Sequence, residues 1–140
     1  MVLISCVKSK RDHPCPASEM YISPLYRKSL TLARKMVPDD HIRILSARYG
    51  LLRLDDIIEP YNQTLIGASP QERRDWAGKV LDQMKASGID LRQTFVMLAG
   101  EAYVKPLAGH LRVECPMKGL SMGRRIHWLN AQLEGHHAQN

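Results

Sequence analysis

Long apolar runs are missing from this chain. None approaches the roughly 18 residues that a membrane-crossing helix needs. The opening residues Met1-Val2-Leu3-Ile4 are too few for the apolar centre of a secretion signal and run at once into polar residues, so cytoplasmic residence is the expectation. Cysteine is scarce. Cys6, Cys15 and Cys115 are odd in number and widely spaced, which argues against a disulfide framework or a Cys-x-x-Cys metal site and favours reduced thiols. The six histidines lack ligand spacing, and His136-His137 falls in a polar terminal stretch. A Walker string and a dinucleotide fingerprint are both absent. No metal and no cofactor is therefore expected. Repeats, low-complexity segments and internal linkers are absent too.

What remains is an ordinary globular composition of 140 residues, 44% apolar and 24% charged, enough for one domain with a real core. The domain is expected over residues 1–134, with a frayed polar tail over 135–140. Net charge is +6, and the surplus is early: residues 1–35 hold seven basic side chains against Asp12 and Glu19. A phosphate-bearing partner, nucleotide or nucleic acid, fits that balance.

Periodicity gives the fold. Apolar runs near 2–6, 42–46, 94–99 and 111–115 read as strands. Between them, Ser23-Pro24 and Ser69-Pro70-Gln71-Glu72 are helix starts, each a capping residue followed by proline at the first helical position. Trp76, Ala77, Val80, Leu81 and Met84 give the second of these helices an apolar face. Gly100-Glu101 opens a short helix, and a last one spans about 123–134. Pro14 and Pro16 keep residues 8–20 from regular helix. The order βαβαβαβα predicts an α/β three-layer sandwich around a mostly parallel four-stranded sheet. In such sheets ligands bind beyond the carboxyl ends of the strands.

The polar groups at those ends are the candidate site. After the first strand come Ser5, Cys6, Lys8 and Lys10; in extended chain the two lysines point to one side and would hold a phosphate or carboxylate. After the second come Ser46, Arg48, Tyr49 and Gly50, the glycine marking a turn or a close approach to ligand. The long loop 47–68 then carries Glu59, Tyr61 and Asn62, where a carboxylate beside Tyr and Asn suits a sugar hydroxyl or water. Glu101, after the third strand, is a second acid candidate, followed by Tyr103. Lys118 lies in the glycine-bearing string before the last helix, which would cradle an anion.

Leu45-Ser46-Ala47-Arg48-Tyr49-Gly50-Leu51-Leu52, with Ile58-Glu59-Pro60-Tyr61, resembles the hallmark segment of the YaaA peroxide-stress family. The loop Ser5-Cys6-x-Lys8-x-Lys10 is similar to that of a small uncharacterised bacterial and phage family, and to a domain of archaeosine synthase. The wider grouping resembles uracil-DNA-glycosylase-like α/β folds. The resemblance implies chemistry on a nucleobase or nucleotide. The expectation is an N-glycosylase for a modified or damaged base in DNA or a nucleotide, its oxocarbenium-like transition state stabilised by Glu59 or Glu101. Lys8 and Lys10 would bind phosphate or donate to the leaving base, and Tyr49 and Tyr61 would sandwich the base. A covalent variant would use Lys8 or Cys6 as nucleophile. The rivals are a non-catalytic nucleotide or nucleic-acid binding module, and a nucleotide transferase or hydrolase without a polymer substrate.

Overall fold

A computed structural model describes residues 1–138. Strand β1 (Val2–Ser5) forms the centre of a five-stranded sheet. Strands β3 (Ile42–Ser46) and β6 (Thr94–Leu98) flank it in parallel. Strand β7 (Arg112–Glu114) extends the sheet in parallel beyond β6, and β4 (Gly50–Leu52) closes the other edge antiparallel to β3. The order is β4-β3-β1-β6-β7. β1 and β3 are almost wholly buried, which explains their unbroken apolar spelling: a parallel strand covered on both faces has no solvent side to alternate with.

Helix α2 (Pro24–Met36) connects β1 to β3 and packs against α5 (Met122–Ala138). Helix α3 (Pro70–Ala86) leads into β6 and packs against α4 (Glu101–Ala108), so that one helix pair covers each face of the sheet. The starts follow the local chemistry. Ser23 Oγ accepts the Tyr26 N–H at 3.2 Å. Ser69 and Glu72 form a reciprocal capping box, with 3.1 Å and 3.3 Å bonds. Trp76, Ala77, Val80 and Met84 are the buried face of α3.

The sheet is mixed, with five strands instead of the expected four. The extra strand comes from the loop 47–68, where Gly50 at φ +76° turns the chain back on itself and pairs with Ser46. Leu51-Leu52 is too short an apolar pair to announce a strand by periodicity. The same loop supplies β5 (Ile57–Ile58), which pairs antiparallel with β2 (Cys15–Pro16) in a separate two-stranded ribbon. One helical turn, α1 (Ala17–Met20), lies inside the segment expected to lack helix; its backbone turns only once Pro16 has been passed. Helix α5 runs through Ala138, further than the polar composition suggests. The last residues of the expected tail lie outside the described ones. Among the described residues no helix is long and apolar enough to cross a membrane.

Candidate functional site

The chain leaves β1 for β3 on one side and later returns to β6 on the other. Its connections therefore diverge at the carboxyl ends of β1 and β6, and a crevice opens there. A cleft of about 700 Å³ occupies that point, a volume ordinary for a small-ligand site. Ser5, Cys6 and Lys8 line it from the end of β1, and Gly100, Glu101 and Tyr103 from the start of α4. Leu25, Tyr26, Met117 and Leu120 make much of the remaining wall apolar, and Arg125 of α5 adds a cation. The backbone is tied at the switch: Ser5 Oγ accepts the Gly100 N–H at 3.2 Å. Arg125 is steadied by its Nε, which donates to the Leu120 carbonyl at 3.0 Å. The Glu101 carboxylate lies 3.5 Å from Lys105 Nζ, with its side chain 51% exposed.

A second cavity of about 460 Å³ adjoins the first across Cys6, Lys8, Ile66 and Tyr103. Lys10, Asn62, Gln63 and Thr64 form its outer wall. Tyr103 stands between the two cavities. Its hydroxyl accepts the Cys6 S–H at 3.2 Å and the Leu65 N–H at 3.4 Å, and its ring meets Trp76 edge-on at 5.6 Å. Burial first, then the neighbouring Cys6, pushes the Tyr103 pKa up to about 12. Lys10 Nζ lies 4.6 Å from the Tyr61 ring centre and 5.9 Å from that of Tyr21, and donates to the Lys8 carbonyl at 3.3 Å. Desolvation lowers the Lys10 pKa, partly offset by Cys6.

The Ser46-to-Tyr61 segment does different work. Ser46 is fully buried; its Oγ accepts the Tyr49 N–H at 3.0 Å and donates to the Tyr61 hydroxyl at 2.7 Å. The Tyr61 and Tyr21 hydroxyls share a 2.6 Å hydrogen bond, and Trp76 Nε1 donates to the Ser46 carbonyl at 2.8 Å. Burial raises the pKa of both Tyr21 and Tyr61. Tyr49 meets Tyr61 edge-to-face at 5.6 Å, so the two rings pack on each other and leave no slot for a base between them. That corrects the expected sandwich. Tyr49 instead accepts the Glu59 N–H at 3.1 Å, and the Arg48 guanidinium lies 5.1 Å from its ring centre. Gly50 turns the hairpin under Gln83, which accepts the Leu51 N–H at 2.8 Å and donates to the Tyr49 carbonyl at 3.0 Å.

Ser5, Cys6, Lys8 and Glu101 therefore come together on the larger cleft, and Cys6, Lys8, Lys10 and Asn62 on the smaller cavity. Ser46, Arg48, Tyr49, Gly50, Glu59, Tyr61 and Lys118 line neither. Glu59 is exposed beside the tyrosine network. Arg125 ends the glycine-bearing string expected to cradle an anion, whereas Gln63, Thr64 and Ile66 join the site with no local signal in the sequence. Position alone would have marked Arg125: it lies in the first turn of a helix that starts on the ligand side of the sheet.

The chain matches the family described as a family of unknown function, DUF6884, over residues 1–131. It is 34% identical over 97 residues to a UPF0246 protein of Polynucleobacter asymbioticus, covering 64% of this chain and 37% of that protein. A UPF0246 protein of Polynucleobacter necessarius subsp. necessarius is 35% identical over 86 residues, 56% of this chain and 32% of that protein. The chain thus spans about a third of the length of the curated relatives it matches. These relatives bear out the expected likeness to the YaaA family.

Proposed function

Because the chain belongs to the DUF6884 family, a family of unknown function, its activity has to be argued from the site, and we propose that it is a nucleobase-directed enzyme, an N-glycosylase that releases a modified or damaged base from DNA or a nucleotide. One observation carries the reading: the cleft at the switch point joins a largely apolar wall to a single carboxylate, Glu101, with Lys8 and Arg125 as cations on the same cleft. The apolar wall suits the flat face of a base. A carboxylate beside the sugar stabilises positive charge at its anomeric carbon or holds the attacking water. Of the two acid candidates, only Glu101 has that position. In duplex DNA the base would have to be extruded to reach the cleft. The motif likeness to a domain of archaeosine synthase and to uracil-DNA-glycosylase-like folds supports the same substrate class and belongs to this proposal.

A second reading, a non-catalytic nucleotide or nucleic-acid binding module, is favoured by the Glu101–Lys105 pair, which occupies the carboxylate at the surface of the cleft. Mass spectrometry separates the two. The protein is incubated with DNA, tRNA and nucleotides that carry a panel of modified bases, beside Glu101→Gln and Lys8→Ala. Release of one base by the native chain, lost in Glu101→Gln while that variant still binds substrate, is the expected result. Binding without release by the native chain establishes the binding module. Neither binding nor release removes both readings.

A further inference from the structure

We propose that the smaller cavity is an oxyanion subsite that takes a phosphate group. The donor set carries the inference. Besides the Cys6 thiol, six polar side chains line this cavity: Lys8, Lys10, Asn62, Gln63, Thr64 and Tyr103. Every one can donate a hydrogen bond, and no carboxylate is among the lining residues. The larger cleft differs, because Glu101 stands on its wall and disfavours an anion nearby.

Two of the donors are already arranged. Lys10 is held against the Tyr61 ring and by the Lys8 carbonyl, so little side-chain freedom remains to be lost on binding. Tyr103 is fixed at the cavity wall by its contacts with Cys6 and with the Leu65 N–H, so its hydroxyl is held in place there. Phosphate oxygens suit such a set, since charge-assisted bonds from ammonium groups are the strong ones and the amides and hydroxyls can take the remaining lone pairs.

The phosphate has two possible sources, one carried by the ligand in the larger cleft and the other free in solution. The subsite itself stands on the donor set; its link to a nucleobase rests on the function proposed above. NMR titration of the full chain with inorganic phosphate reads the subsite directly through the amides of residues 8–10 and 62–64. Saturable shifts there are expected, with affinity weakened about tenfold or more in Lys8→Ala and in Lys10→Ala. Lys118→Ala, outside both cavities, is expected to leave the affinity unchanged. Lys8 is exposed, so its variant keeps the test valid if Lys10→Ala does not fold. Absence of saturable shifts, or equal weakening by Lys118→Ala, overturns the subsite.

A nucleoside and its 5′-monophosphate then distinguish the sources. Competition between inorganic phosphate and the monophosphate means that the ligand carries the group. Simultaneous binding of nucleoside and phosphate means that it arrives free. Phosphate bound without any nucleobase ligand keeps the subsite and removes the nucleobase reading. Nucleoside bound without phosphate does the reverse.

Discussion

Ser46 Oγ donates to the hydroxyl of Tyr61 at 2.7 Å, locking the end of β3 to a loop fifteen residues further on. Tyr61 also meets Tyr21, so one phenol holds three segments of chain. Removing it strands two polar partners in a buried site. Tyr61→Phe is therefore expected to cost about 1–3 kcal/mol of stability, read by urea unfolding of the native and variant chains. An unchanged midpoint would mean that water replaces the phenol without loss.

The two acidic candidates separate by position. Glu101 lines the larger cleft, whereas Glu59 lines neither cavity. Once a released base has been identified, Glu101→Gln is expected to slow release by at least about 100-fold. Glu59→Gln should stay within about twofold of the native rate, since surface substitutions rarely disturb a distant site. Reversed effects would move the chemistry out of the cleft.

At Gly50 two constraints coincide. Its φ of +76° is costly for any other residue, and a Cβ there would run into Gln83 Oε1. Gly50→Ala should destabilise by about 1–3 kcal/mol, a fall of several degrees in Tm. The companion Gln83→Ala relieves that contact but loses both bonds to the hairpin, so it should not rescue the variant. A double variant as stable as native would refute this account.

Alkaline pH should unfold the protein through its tyrosines. Burial raises the pKa of Tyr21, Tyr26, Tyr61 and Tyr103 above the ordinary value of 10.0, Tyr103 to about 12. The neutral phenol is thus favoured in the folded chain, while the unfolded chain ionises from pH 10. Their contribution to stability is whole below pH 10 and, for Tyr103, is lost as the pH climbs through about 12. Most of the tyrosinate absorbance should therefore appear together with the loss of the circular dichroism signal. Full ionisation near pH 10 with the fold intact would contradict this.

The elements most legible in the sequence are those fixed by near neighbours. The capping box at Ser69 and the buried strand at 42–46 need only a few residues of context, and both lie where their spelling puts them. β4 was hidden because a strand of three residues has no period to read. The site divides in the same way. Ser5, Cys6, Lys8 and Glu101 could be placed at strand ends, but not the Cys6–Tyr103 contact, which spans 97 positions of chain. Glu59 and Glu101 were equal until the topology brought only one of them to the cleft.

The tyrosine network has a consequence for how kinship in this group is interpreted. Its residues hold the scaffold and touch neither cavity, apart from the Lys10 cation resting on two of the rings. Two proteins can share the Ser-x-x-Tyr-Gly-Leu-Leu and Pro-Tyr strings and yet differ in what they bind, because the lining comes from other loops. Exchanging residues 62–66 between relatives, with the strings left in place, is the graft by which ligand preference would travel without the fold.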